Sequence, residues 1–251
     1  MRNLKQMEVL RQKGPACGTT CLAMVIRFLT GDSAITPGDI DKEIRRLPGM
    51  FSAPTDLMMY ARRKGLKAEE YNHNSLQQVK ELVDQGIPVV PLLDLTPNNA
   101  LDFQNWHWVV MVAVEEDDRP DRVVINNPWG QQEEWGKNDF LRQWAHLKLL
   151  GLTFGYSNYF IALGTPDDEL PPRRVDGVAP ANAVIKGLAD VLNGFARVRF
   201  DRSPRGLGQI LWGIFRLIYG IAYLLWSNIR FWFKFSLKPS SYNSDSQGSR
   251  S

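Results

Sequence analysis

The sequence predicts an α+β protein with a hydrophobic helical tail, and three observations lead to this class. Segments with helical periodicity fill the chain up to about residue 86. Short runs of β-branched and apolar residues, bounded by turn residues, follow between about residues 88 and 163. A long hydrophobic stretch lies near the C-terminus, between about residues 206 and 229. Because helices come first and strands second, the pattern favours α+β over an alternating α/β arrangement.

Four helices are predicted in the first part of the chain. Gly14, Pro15 and Ala16 form a turn before a helix from Cys17 to Leu29, whose apolar residues recur at a period near 3.6. Helix start and stop residues predict three more. They run from Thr36 to Arg46, from Thr55 to Arg63, and from Asn74-Ser75 to Gly86.

The strands are predicted from β-branched or apolar runs between turn residues. A short strand candidate, Lys67 to Tyr71, precedes the fourth helix. The later strands are Pro88 to Leu93, His107 to Val114, Arg122 to Ile125 and Tyr159 to Leu163, with a short helix from Asn138 to Ala145 before the last one. These strands predict an antiparallel sheet after the helices.

The charge distribution divides the chain. Residues 1–165 hold 18 Lys and Arg against 20 Asp and Glu, a net charge of −2, whereas residues 166–251 hold 12 against 7, a net of +5. We therefore expect one domain at 1–165, a Pro-rich charged linker at 166–180, an amphipathic and then a hydrophobic helix at 181–238, and a Ser-rich disordered tail at 239–251. The basic excess belongs to the tail, so we expect this part of the chain to bind an anionic surface. No nucleic acid partner is predicted.

The two cysteines, Cys17 and Cys21, lie one helical turn apart, where a disulfide would be strained and would restrain little. Zinc requires about four ligands, and the three histidines are scattered, so no metal or other cofactor is predicted. No signal peptide is visible at the N-terminus. We expect the front domain to fold in a reducing compartment.

Four residues are candidates for chemistry. Cys17 opens a helix, whose N-terminus favours a thiolate, although most cysteines are small buried apolar residues. His107 begins an apolar strand and needs a partner there, which a thiolate or an ordinary core contact would provide. Asn127 ends the next strand and could orient His107, or could simply be a turn residue before proline. Gln12 precedes Cys17 by five positions and could donate to an oxyanion, or could be an ordinary polar residue.

Two segments together resemble the C39-like peptidases, a branch of the papain-like cysteine proteases. The segment from Gln12 through Gly14-Pro15-Ala16-Cys17-Gly18-Thr19-Thr20-Cys21 to Met24 is similar to the nucleophile segment of that family. The segment from His107-Trp108-Val109-Val110 through Asn126-Asn127-Pro128-Trp129-Gly130 is similar to its histidine strand and the following corner, with Asn in place of the common Asp. The resemblance covers about residues 8–165. It implies a papain-like cysteine protease fold with Cys17 as nucleophile, His107 as base, Asn127 as orienting residue and Gln12 as oxyanion donor.

The resemblance implies a cysteine peptidase that acts on a peptide or protein substrate. The same residues also support deamidation or transamidation, as in a translocated effector. A front domain that only binds peptides, in a membrane-active or scaffolding protein, is a further alternative. A reactive Cys17 would favour the enzyme, and an inert one the binding module.

The tail predicts contact with a membrane through residues 206–235. Gly206 to Ile229 is a stretch of 24 residues with one charge, Arg216, long enough to span a bilayer or to lie in its interface. Gly206, Gly213, Gly220 and Ser227 recur every seven residues and predict self-association through a small-residue stripe. The alternative is that this helix packs against the front domain. We expect a membrane-associated protein whose front domain lies on the cytoplasmic side.

Overall fold

The structure is a computed structural model of the whole chain, and its backbone follows the predicted order of helices and strands. It describes residues 2–44, 52–95, 106–116, 121–144, 146–149, 152–172 and 205–236, with short pieces between 182 and 195. The predicted tail at 239–251 lies outside the described residues, as do residues 117–120 between two of the predicted strands.

The helices begin and end where local signals place them. They are α1 Cys17–Thr30, α2 Pro37–Ile44, α3 Pro54–Arg63, α4 Leu76–Asp84, α5 Lys137–Trp144 and α6 Arg205–Ser236. Gly31 ends α1 with a left-handed φ of 73°, which a residue without Cβ adopts at little cost. Ser75 and Gln78 form a reciprocal capping box at the start of α4. Proline at the first position moves the start of α3 to Pro54, one residue before the predicted Thr55.

The described strands form one large antiparallel sheet and a separate hairpin. They are β1 Lys67–Tyr71, β2 Val89–Asp94, β3 Trp106–Trp108, β4 Val110–Glu115, β5 Arg122–Asn127, β6 Gln131–Gly136, β7 His146–Leu149, β8 Leu152–Ser157 and β9 Phe160–Gly164. The order in the sheet is β1-β9-β2-β4-β5-β6, with β3 also paired to β2, while β7 pairs only with β8. The structure is therefore α+β, as predicted.

The strand predicted from His107 to Val114 is divided in two. The division falls at Val109, which lies opposite Pro91 of β2. The Val109 N–H donates to Pro91 O at 3.4 Å, but proline has no N–H with which to return the second hydrogen bond of this pair. Among the described strands, β3 pairs with β2 alone, with His107 opposite Leu93, whereas β4 pairs with β5 as well. The break separates the short strand that carries His107 from the strand that continues into the sheet.

Helix α1 packs on β3 as well as on α2 and α3. Its side chains from Cys21 to Ile26 are at most 2% exposed, and burying each large aliphatic side chain contributes about 1.5–3 kcal/mol. Trp108, which is fully buried, donates its indole N–H to Ser52 O at 3.3 Å. The start of α1 thus lies against β3 within the buried core.

The segment after the front domain remains in contact with it. Of the predicted linker 166–180, residues 166–172 are described, and they bond back to the domain. The Asp168 carboxylate pairs with Arg2 at 2.9 Å, and Pro171 O accepts from Tyr71 at 2.8 Å. Polar contacts that no local sequence signal indicates therefore hold the start of this range.

Helix α6 contacts the described pieces of 182–195. Gly187 and Gly213 approach so closely that a Cβ on Gly213 would lie 2.7 Å from Gly187 O. Arg216 pairs with Asp190 at 2.6 Å, and Lys186 pairs with Asp56 of α3 at 3.0 Å. Gly213, one member of the predicted self-association stripe, therefore packs within its own chain.

The predicted option that the tail crosses a bilayer is not supported. Among the helices in the described ranges, α6 included, none is both long enough and apolar enough to traverse a membrane. Arg216, which the sequence places near the middle of the hydrophobic stretch, is in an ion pair with Asp190.

Candidate active site

Cys17 is the first residue of α1 and is half-buried. The helix N-terminus leaves backbone N–H groups without intrahelical partners and carries a partial positive charge. Ala16 at the N-cap position provides no side-chain hydrogen bond to them. The position favours a thiolate at Cys17.

The first turn of α1 is fixed against the strand that carries His107. A Cβ atom at Gly18 would lie 2.8 Å from Cβ of Ser52 and 2.9 Å from Cδ1 of Trp108, closer than side-chain carbons approach. The residue after Cys17 therefore touches the residue after His107. This contact brings the segment that carries Cys17 and the strand that carries His107 to the same place in the fold.

His107 and Asn127 are brought together by the register of the sheet. His107 is 5% exposed, and its Nε2 lies 3.0 Å from Asn127 Oδ1. Burial lowers the pKa of His107 below its ordinary value, while the Asn127 hydrogen bond and the negative charge of Glu133 oppose that shift. The lowered pKa favours a neutral imidazole, which is the form that can accept a proton.

The orientation of the Asn127 amide determines the tautomer of His107. Trp129 N donates to Asn127 Oδ1 at 3.1 Å, and Asn127 Nδ2 donates to Glu133 Oε1 at 3.0 Å. Both partners identify Oδ1 as the atom that faces His107. Because an amide oxygen only accepts, the proton of a neutral His107 is on Nε2, and Nδ1 keeps its lone pair.

Asn126, the residue before Asn127, points to the other face of β5, because side chains of adjacent strand residues alternate. Its Nδ2 donates to Met7 O at 3.3 Å, and its Oδ1 accepts from Gln132 at 2.8 Å. In the part of the chain that the structure describes, the side chain of Asn126 therefore bonds to Met7 and Gln132 and not to His107.

Trp129 covers one side of the imidazole. Its ring centroid lies 4.7 Å from that of His107, at an interplanar angle of 30°. The indole itself is half exposed. It lies between solvent and the histidine and limits the access of water to the His107–Asn127 hydrogen bond. The sequence showed Trp129 as part of the corner, but no pattern indicated this role.

Gln12 lies beside the segment Asn127-Pro128-Trp129. Its backbone N donates to Pro128 O at 2.6 Å, and Arg11 forms a bridge with Trp129. Its side-chain Nε2 donates one hydrogen to Gly14 O at 2.8 Å, which leaves the second hydrogen of the amide for another acceptor. Its Oε1 is buried and has no hydrogen-bond partner among the described residues.

Cys21 is part of the core. It is fully buried, and its thiol lies 3.3 Å from Trp108 O. Burial, and to a lesser extent the neighbouring Cys17, raises the pKa of this thiol well above its usual value. Neither cysteine is in a disulfide, so Cys21 can serve as an unreactive reference for Cys17.

The described residues contain no group of three or more His, Cys, Asp or Glu side chains that could hold a metal ion. The chemistry available at this corner is that of a thiol beside a helix N-terminus, a neutral imidazole and two side-chain amides. A family model of the Peptidase_C39 like family matches residues 2–151. The chain belongs to that family. A cysteine-peptidase type of fold, papain-like in its helices and antiparallel sheet, follows from this membership.

A solved structure of a C39-like peptidase from Bacillus anthracis is also similar to the chain. It shares 16% sequence identity, with a TM-score of 0.48, and the match covers 66% of this chain and 98% of the other. No curated protein matches the sequence.

Glu133 is the residue near the site that the sequence reasoning missed. It accepts the second Asn127 hydrogen bond from strand β6. Neither the residue patterns nor the two segments of the family resemblance included Glu133. The alternation of Gln131, Glu133 and Trp135 on one face of a strand is the only pattern that could have found it.

Proposed function

We propose that residues 1–165 act as a cysteine peptidase, with Cys17 as nucleophile and His107 as base. The observation that carries the proposal is the hydrogen bond between His107 Nε2 and Asn127 Oδ1. It leaves Nδ1 as the proton acceptor of a histidine whose strand abuts the first turn of α1. A thiol, a base and an orienting amide are the groups that nucleophilic acyl transfer requires.

The proposed reaction proceeds in two halves. His107 Nδ1 takes the proton from Cys17, and the thiolate attacks the carbonyl carbon of an amide. The negative charge that develops on the carbonyl oxygen is stabilised by the backbone N–H of Cys17 and the remaining Gln12 N–H. His107 then protonates the leaving amine as the C–N bond breaks. Water attacks the thioester, gives a proton to His107, and releases the acid and the Cys17 thiol.

A peptide pool incubated with the full chain in water labelled with heavy oxygen tests this proposal. Hydrolysis puts heavy oxygen on a new C-terminal carboxyl group, which mass spectrometry detects, and Cys17→Ser abolishes it. Loss of a side-chain amide from Gln or Asn indicates a deamidase, and incorporation of an added amine indicates a transamidase. Peptide binding by both proteins without any product contradicts the enzyme and supports a binding module.

Contact of the tail with a membrane surface stays a proposal, and the exposed face of α6 supports it. Eight large apolar side chains on this helix are at least 41% exposed: Leu207, Leu211, Trp212, Ile214, Phe215, Ile218, Tyr219 and Ile221. A helix with such a face and a net charge of +5 over residues 166–251 suits the interface of an anionic bilayer. The predicted self-association and the cytoplasmic-side location stay predictions.

Co-sedimentation with phosphatidylserine vesicles tests the membrane contact. The wild-type chain is expected to sediment with these vesicles, and Ile218→Glu is expected to weaken the binding, because it puts a charge on the apolar face. Met59→Glu, a charge placed at an exposed position on α3, is the matched control. Equal sedimentation of all three proteins, or none with the wild type, contradicts the proposal.

A further inference from the structure

The carboxylate of Glu133 is the meeting point of three hydrogen bonds beside the candidate site. Oε1 accepts from Asn127 Nδ2 at 3.0 Å and from Gln131 Nε2 at 2.7 Å, and Oε2 accepts from the Trp135 indole at 2.8 Å. Gln131 and Trp135 lie two residues on either side of Glu133, so all three side chains share one face of β6. Both carboxylate oxygens are therefore held in place.

The register of the sheet aims this carboxylate at Asn127. Asn127 pairs with Gln131, and Ile125 pairs with Glu133, so Glu133 is the diagonal neighbour of Asn127 on the same face. The three donors are uncharged, so the negative charge of Glu133 is not neutralised by them. The same charge raises the pKa of His107 and so partly offsets the lowering that burial causes.

We infer that Glu133 is a positioning residue of the active site, which fixes the Asn127 amide and through it the tautomer of His107. A carboxylate only accepts hydrogen bonds, so it selects the amide orientation with Nδ2 toward itself and Oδ1 toward His107. With Oδ1 toward His107, the imidazole proton stays on Nε2, and Nδ1 remains free for the thiol proton. This inference rests on the proposed function, because the tautomer matters only if His107 is a base.

Glu133→Gln is the perturbation that separates this role from simple packing. A glutamine keeps the shape but can donate as well as accept, so it no longer selects one orientation of the Asn127 amide, and the Trp129 N–H bond to Oδ1 is left to favour the original one. In the molecules whose amide turns over, the NH₂ group faces His107 and the imidazole proton moves to Nδ1, the wrong nitrogen. We expect alkylation of Cys17 by iodoacetamide to slow relative to Glu134→Gln, and complete conversion to the wrong tautomer would approach the roughly 10⁴-fold loss found in a Ser-His-Asp triad.

A reciprocal exchange gives the sharper test. Asn127→Asp alone places two carboxylates side by side, which disfavours the charged form of both. In the double variant Asn127→Asp with Glu133→Gln, the glutamine donates to the new aspartate, which then accepts from His107 Nε2. The double variant is therefore expected to alkylate faster than either single variant. A residue that served only to pack β6 would give additive losses.

Glu134→Gln is the matched control, since Glu134 is the next residue of β6 and pairs with Arg122 at 2.6 Å instead. It removes the same charge and is expected to leave alkylation unchanged. Thermal unfolding of every variant shows that each one folds.

The tautomer itself is read in full-length Cys17→Ala protein from the imidazole nitrogen chemical shifts of His107. We expect Nε2–H with Glu133 present and a shift toward Nδ1–H in Glu133→Gln. The same tautomer in both, or alkylation of Glu133→Gln equal to that of Glu134→Gln, overturns the inference. Failure to cleave any peptide would contradict the peptidase but would leave these two measurements intact, so the two failures are distinguishable.

Discussion

Gly18→Ala tests whether the contact between α1 and β3 sets the position of Cys17. The new Cβ would lie 2.8 Å from Cβ of Ser52 and 2.9 Å from Cδ1 of Trp108, whereas carbon atoms pack at about 3.5–4.0 Å. The indole is fully buried and bonded to Ser52 O, so it cannot easily retreat. The first turn of α1 must therefore move away from β3 by roughly 0.7–1 Å.

This displacement affects both the free energy of unfolding and the reactivity of Cys17. Overpacking of this kind lowers the free energy of unfolding by about 1–3 kcal/mol, against a helix-propensity gain of about 1 kcal/mol for replacing glycine by alanine. A misplacement of about 1 Å between reacting groups slows a reaction by about 100-fold. We therefore expect a modest loss of stability with a large loss of Cys17 reactivity.

The assay pairs urea unfolding with the rate of iodoacetamide labelling at Cys17, read by peptide mass spectrometry with Cys21 as the internal reference. Gly38→Ala in α2 is the control, because the nearest atom to its new Cβ is 3.8 Å away, and it should leave labelling unchanged. If Gly18→Ala unfolds and labels like wild type, the contact does not position Cys17, and the argument from Gly18 is refuted.

Three further predictions concern the oxyanion, pH and the docked tail. Gln12→Ala should lower kcat by about 100- to 1,000-fold with little change in KM, as for the loss of an oxyanion donor; equal activity would remove Gln12 from the site. Because burial lowers the pKa of His107, its contribution to the free energy of unfolding is present above about pH 6.5 and is lost as pH falls. Urea midpoints should therefore decline less on acidification in His107→Gln than in wild type, and parallel declines would contradict this. Asn182→Ala removes a 2.8 Å hydrogen bond to buried Glu70, so unfolding should be easier by about 1–3 kcal/mol and limited proteolysis after residue 172 faster; an unchanged digest would show that this bond does not hold the segment.

The helices of the front domain could be predicted because their signals are local. Gly31 and the Ser75–Gln78 box act within one turn of the chain, and the apolar period of α1 reports the face that the core covers. The start of α2 was predicted at Thr36-Pro37, and the helix begins at Pro37. Its predicted end at Arg46 lies outside the described residues.

Three strands carried no readable pattern. β6 reads Gln-Gln-Glu-Glu-Trp-Gly and is polar because it is an edge strand, exposed along most of its length. β7 and β8 pair with each other and, among the described strands, with no strand of the main sheet, and each mixes polar and apolar residues. Strand propensity reflects how well a residue fits a half-buried pleated surface, so it does not identify a polar edge strand or a separate hairpin.

The sequence indicated which residues form the candidate site, but not the hydrogen bonds that connect them. Cys17 begins α1 and Asn127 ends β5, where sequence signals are strong, and His107 is the polar residue of the short apolar strand β3. The role of Glu133 depends on the pairing of β5 with β6, which is a tertiary fact. The pairing of Arg216 with Asp190 is likewise tertiary, and the sequence offered Arg216 only as a charge within a hydrophobic stretch.

The pH dependence of iodoacetamide labelling at Cys17 in the full chain tests the central claim most directly. We expect labelling of Cys17 already at about pH 6, because His107 assists removal of its proton, while Cys21 stays unlabelled. We also expect His107→Ala to slow this labelling strongly. Labelling that begins only above about pH 8, as for an ordinary thiol, and is the same in His107→Ala would contradict a reactive pair of Cys17 and His107.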